Sequence, residues 1–141
     1  MYFQVPLLHQ KLGQSVLWDY HVIFIYSSED ISLVYDFDTT LPFPCQFNQY
    51  YENVFVEGLD RPELRYLFRV VKARDYLNHF TSDRSRMRNS DGSFMEPPPN
   101  YPCIQVPNKV NNLNSFISMN KDQFNVGDVL ELKQFADKFS K

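Results

Sequence analysis

Cysteine is scarce in this chain: 141 residues hold two, Cys45 and Cys103. They allow at most one disulfide, and no Asn-x-Ser/Thr sequon occurs, so the expectation is a reduced, intracellular protein. A basic excess is also missing. Lys and Arg number 14 against 17 Asp and Glu, a net charge of −3 that leaves no electrostatic footprint for nucleic acid or an acidic membrane. No stretch approaches the roughly 18 apolar residues of a membrane span. The opening MYFQVPLLHQKL lacks the basic leader and long apolar run of a signal peptide. There is no internal repeat. The densest basic cluster, Arg84, Arg86 and Arg88, is interleaved with Ser and Met and reads as a solvated loop before a phosphate site.

Aromatic residues are plentiful, at 16% of the chain with 13 Phe and nine Tyr, while charged residues are 22%. This is the composition of a globular protein. The length suits one domain, 1–141, able to bury about two thirds of its unfolded surface. Val16–Tyr26 and Ile31–Asp38 are rich in β-branched and aromatic residues around the polar turn Ser27-Ser28-Glu29-Asp30, a hairpin signal. Leu41-Pro42-Phe43-Pro44 ends the second strand. Gln49–Val56 shows weak helical periodicity that Gly58 would stop, and Leu64–Ala73 reads as a third strand. Asp75 resembles an N-cap for Tyr76–Phe80, Thr81–Pro107 reads mostly as loop, and Asn112–Met119 as a short strand. In Glu131–Phe139, Leu132, Phe135, Ala136 and Phe139 share one helical face. The fold class expected is α+β around a mainly antiparallel sheet.

The hairpin raises the question of function, because it carries a histidine and carboxylates in apolar surroundings. A turn centred between Ser28 and Glu29 sets His21 opposite Asp36 and Asp19 opposite Asp38. Opposed residues of an antiparallel pair stand about 4.5–5.5 Å apart at Cβ, within reach of an imidazole–carboxylate hydrogen bond. Such a pair is two thirds of a nucleophilic triad, since the carboxylate fixes the imidazole tautomer and stabilises its protonated form. The plainer reading is a structural pair tying a sheet edge. A metal reading from His21, Asp36, Asp38 and Asp19 is weaker, because His9 and His79 fall in no ligand spacing. Cys45 and Cys103 both follow proline-containing segments, and no helix start follows either in the pattern to depress a thiol pKa. The residues thus offer a base and its orienter without a convincing attacker.

Several ordered motifs carry a resemblance. They are Trp18-Asp19-Tyr20-His21-Val22, Tyr35-Asp36-Phe37-Asp38-Thr39, Leu41-Pro42-Phe43-Pro44-Cys45, Phe68-Arg69-Val70, Ala73-Arg74-Asp75-Tyr76-Leu77 and Ser82-Asp83-Arg84-Ser85. Glu96-Pro97-Pro98-Pro99, Tyr101-Pro102-Cys103-Ile104, Asn112-Leu113-Asn114 and Phe116-Ile117-Ser118-Met119 follow. From about Val5 onward the chain resembles the protein N-terminal glutamine amidohydrolase family. The resemblance implies an α-β-α sandwich with a papain- and transglutaminase-like core. It also implies hydrolysis of the side-chain amide of an N-terminal glutamine to glutamate and ammonia, in the N-degron pathway. It implies a Cys-His-Asp triad with no metal and no cofactor, in which His21 and Asp36 take the histidine and aspartate roles. The family's nucleophilic cysteine lies in an N-terminal segment upstream of the matching part. The chain is therefore expected to be N-terminally incomplete, with neither Cys45 nor Cys103 inheriting that role.

Asp19 and Asp38 are candidates to accept the substrate's α-ammonium on charge and face. The partners expected are proteins or peptides with N-terminal Gln, met by a monomer in the cytoplasm and nucleus. The alternative is a catalytically inactive fragment or isoform that binds peptides or partners, through the Pro97-Pro98-Pro99 run among other surfaces. A chain lacking a helix that packs on its sheet is also expected to expose apolar area and to be poorly soluble.

Overall fold

The computed structural model describes residues 20–55 and 66–141 in full, and the backbone alone of 2–5, 7–11 and 14–18. The elements in chain order are β1 (Tyr2–Val5), β2 (Leu7–Lys11), β3 (Gln14–Trp18), β4 (His21–Ser27), β5 (Ser32–Tyr35) and β6 (Cys45–Gln46). Then come α1 (Phe47–Val54), β7 (Leu67–Val70), α2 (Ala73–His79), α3 (Leu113–Ile117), β8 (Asp128–Glu131) and α4 (Leu132–Phe139). Six strands form one sheet in the order β6-β5-β4-β1-β7-β8, and β2 and β3 form a separate ribbon. Every described strand pair is antiparallel. The mixed helices and antiparallel sheet bear out the α+β class.

Alternation along β4 sends successive side chains to opposite faces of the sheet. Ile23 and Ile25 join a cluster with Phe47, Tyr50 and Val54 of α1 and Phe135 and Phe139 of α4. Tyr20 and Val22 pack instead on a second cluster, built from Tyr76 of α2, Leu113 and Phe116 of α3, and Phe80 and Val71. Burying each such aromatic contributes on the order of 1.5–3 kcal/mol. Phe68 and Phe135 stack with centroids 3.9 Å apart, which fixes α4 against β7. The helix α4 begins without a linker: Glu131, the last residue of β8, is its N-cap, and Glu131 and Gln134 form a capping box.

Some expected elements moved. The strand expected over Val16–Tyr26 is two strands, because β3 pairs with β2 while β4 pairs with β1 and β5. α1 begins two residues before the expected helix, and β7 is the four-residue centre of the expected third strand. The stop at Gly58 lies outside the described residues. Lys72, rather than Asp75, occupies the N-cap of α2, and Asp75 lies in its first turn, where a carboxylate suits the helix dipole.

The strand expected at Asn112–Met119 is the helix α3. Leu113, Phe116 and Ile117 have helical spacing, and the Asn112 amide turns the chain by accepting from the Thr81 N–H at 2.9 Å and donating to the His79 carbonyl at 2.7 Å. β8 had no clear signal of its own; Gly127 admits it. That glycine has φ +77°, and a Cβ there would lie 2.5 Å from the Val70 carbonyl oxygen.

The stretch from Thr81 to Pro107 is mostly loop, as expected, with one 3-10 turn at Ser85–Met87. Arg84 donates to the carbonyls of Pro99 and Tyr101, and Arg88 to that of Gly92, so two of the three clustered arginines tie the loop to itself.

Candidate active site

The site grows from the β4–β5 hairpin. Its ladder pairs Phe24 with Tyr35, Ile25 with Val34, Tyr26 with Leu33 and Ser27 with Ser32. The turn is thus centred between Glu29 and Asp30, one residue later than expected, which displaces every pairing by two. The Ser27 and Ser32 hydroxyls close the ladder at 2.9 Å, and the Ser28 N–H bonds the Ile31 carbonyl across the loop. His21 and Asp36 are therefore not cross-strand partners, which corrects the register count. The displacement is even, however, so each side chain keeps its face. Beyond Tyr35 the chain leaves the ladder, and the Asp36 carboxylate reaches His21 all the same.

The His21 Nε2–H donates to Asp36 Oδ1 at 2.9 Å, with the His21 side chain 6% exposed and that of Asp36 fully buried. A buried carboxylate is costly unless its lone pairs are filled. Asp36 meets this by also accepting the Tyr50 O–H on Oδ2 at 2.7 Å and the Asp38 backbone N–H on Oδ1 at 2.9 Å. An ionised carboxylate only accepts, so the proton of neutral His21 sits on Nε2 and the basic nitrogen is Nδ1. Asp38 lies on that second side, its Oδ2 3.8 Å from Nδ1 and its side chain 49% exposed. The chemistry available is that of a general base with a fixed tautomer, open toward a half-exposed carboxylate.

The other candidates fall elsewhere. Asp19 lies outside the described residues. Cys45 is buried and precedes α1 closely, so a helix start does follow it, contrary to the pattern reading. Its thiol is nonetheless spent on the Gln46 carbonyl and Gln49 Oε1, and burial pushes its pKa up. Cys103 lines a cavity of about 210 Å³ with Tyr20, Val22, Tyr76 and Ile104, behind the sheet from the face that carries His21, Ile23 and Ile25.

The donor atoms of His21, Asp36 and Asp38 lie within 4.8 Å of one another, a spacing a divalent ion would bridge. The Asp36 oxygens are already committed to three donors, which makes the set a hydrogen-bonded pair with a neighbouring acid rather than a ligand set. Tyr50 was missed in the sequence. Its only signal there was its place in the weak helical pattern.

Residues 3–139 match the family model described as N-terminal glutamine amidase. The chain belongs to this family. It is 47% identical over 127 residues to the protein N-terminal glutamine amidohydrolase of Bos taurus, an alignment covering 89% of this chain and 61% of that protein. The Homo sapiens protein of the same name is 46% identical over 126 residues, covering 88% and 61%. The Drosophila melanogaster protein is 44% identical over 143 residues, covering 97% and 69%. The chain thus spans 61% of the length of the bovine and human relatives it matches.

Proposed function

We propose that this chain supplies the general base and its orienting acid for hydrolysis of the side-chain amide of an N-terminal glutamine, on an α-β-α fold of the papain and transglutaminase kind. The observation that carries the reading is the buried His21–Asp36 hydrogen bond, 2.9 Å long, in a chain of this family. His21 Nδ1 takes the proton of a cysteine thiol, and the thiolate attacks the carboxamide carbon, sending the carbonyl electron pair to oxygen. The tetrahedral intermediate collapses as His21 returns the proton to the leaving nitrogen, releasing ammonia and leaving a thioester. His21 then deprotonates water, which attacks the thioester and gives N-terminal glutamate and the thiol. Asp36 holds the imidazole and balances its charge at each protonated stage.

Neither Cys45 nor Cys103 fits the nucleophile, for the reasons of burial and face given above, so the reading assigns the thiol to a cysteine outside these 141 residues. Asp38 receives the substrate α-ammonium, with Asp19 as the second candidate. The partners are proteins or peptides that begin with Gln, the product enters the N-degron pathway, and the protein works as a monomer in the cytoplasm and nucleus.

A coupled ammonia assay on a Gln-initiated peptide tests this. The 141-residue chain should release none, and the same chain preceded by the N-terminal part of the bovine relative should turn over. Activity of the short chain that survives Cys45→Ala and Cys103→Ala would refute the assignment of the nucleophile. Peptide binding by the extended chain without ammonia release would favour the inactive, peptide-binding alternative.

A further inference from the structure

We infer that Tyr50 is a positioning residue of the site: its phenol on α1 holds the Asp36 carboxylate so that one oxygen is presented to His21. The inference rests on the reading of His21 as the base, and its structural content stands apart from turnover. Asp36 lies beyond the end of β5, so the ladder does not orient it. Two contacts do so from different directions. The Asp38 N–H comes from its own chain, two residues on, and the Tyr50 hydroxyl comes from a separate element, at 2.7 Å on Oδ2. The first bond moves with the carboxylate's own backbone. The second ties that carboxylate to a separate helix, α1.

Tyr50 is itself immobile. It is fully buried, its ring meets Phe55 edge-on at 5.9 Å, and α1 is pinned by Phe47 against Phe135 and Phe139 of α4. The phenol therefore approaches Oδ2 from a fixed point. With Oδ2 taken, Oδ1 is the oxygen left to meet Nε2, as observed. The hydroxyl also stays a donor, since burial and the adjacent Asp36 charge hold its pKa well above the ordinary tyrosine value.

Electrostatics follow from this placement. A hydrogen bond from Tyr50 draws charge off the carboxylate and weakens its hold on a protonated imidazole. Removing the Tyr50 donor would leave more charge on the carboxylate that faces His21. The described groups facing this pair are Asp38, beside Nδ1, and Cys45, beside Tyr50 on β6. Both remain unchanged in the test below.

The test is an NMR titration of the histidine ring in the full 141-residue chain, with His21 assigned by its loss in His21→Asn. In Tyr50→Phe the ring is kept and the donor removed, and the His21 midpoint should rise by about 0.5–1 pH unit. Tyr50→Phe also leaves Oδ2 short of a donor, so Val54→Ala on the same helix serves as a control of comparable lost stability. It should leave the midpoint in place. An unmoved or lowered His21 midpoint in folded Tyr50→Phe, or an equal shift in Val54→Ala, overturns the inference. None of these readouts needs a nucleophile, so failure of the amide assay would strike the proposed function and leave this coupling standing.

Discussion

Among the described residues, Arg69 on β7 and Asp36 just past β5 are buried charged groups, and they are satisfied in opposite ways. Arg69, on β7, is 0% exposed and gives its guanidinium to the main-chain carbonyls of Ser118, Asn120, Phe124 and Val126, at 2.6–3.4 Å, with its charge over the Phe124 ring. Asp36 is equally buried, yet two of the three donors described on it are side chains, one of them an imidazole able to gain and lose a proton. Carbonyl partners cannot titrate, so the Arg69 centre has one charge state and serves as a staple for the 118–126 segment. The Asp36 centre has two states separated by one proton. The contrast teaches that burial of charge by itself marks no candidate site; what sets the Asp36 centre apart is its titratable partner and its solvent-facing neighbour.

The widest gap between the two centres should appear in turnover. In the chain extended by the relatives' N-terminal part, His21→Asn should lower ammonia release by at least about 10³-fold while the protein stays folded. An unchanged rate would remove His21 from the chemistry. The converse holds for Arg69→Met, which leaves four carbonyls short of donors. It should cost roughly 3 kcal/mol or more in urea unfolding without moving the His21 titration. A shift of that titration would show that the two centres are coupled.

The smallest effect lies in alkali. The folded-state pKa of Tyr50 is raised, by burial first and the Asp36 charge second, so above about pH 10 the unfolded chain sheds a phenol proton that the folded chain keeps. The folded state then binds more protons, and stability is full below pH 10 and falls as pH rises. Tyr76, raised mainly by burial, adds to the same trend. Denaturant midpoints between pH 8 and 11 should decline less steeply in Tyr50→Phe than in the parent chain, by up to about 1.4 kcal/mol per pH unit. Parallel declines would show that Tyr50 is not a source of the slope.

Much of the site was legible because it depends on parity. His21 and Asp36 share a face under any even displacement of the hairpin, so a register wrong by two still selected both residues. The motifs around them then supplied the family. What could not be read depended on long-range packing. Tyr50 reaches Asp36 only because α1 lies across the sheet, an arrangement set by Phe47, Phe135 and Phe139. The helix α3 resembled a strand because a five-residue element shows little more than one turn of its period, and the bonds from Asn112 that decide the matter span about 30 residues. β8 was hidden for a related reason, since its place against β7 depends on the inverted backbone at Gly127.

One feature of the fold bears on motion. α1 follows β6, and α4 follows β8, with the last strand residue serving as helix cap in both joints and no residue between. Hinges need a few free backbone torsions, and neither joint contains any to spare. The helical layer behind His21 therefore moves with the sheet as one body, carrying Tyr50 with it. Among the described residues, the segment between Asp36 and Pro44 lies outside helix and strand and holds Asp38 half-exposed and Phe37 88% exposed. His21 is held on β4 within the sheet, and Asp38 lies in that irregular segment, beside His21 Nδ1.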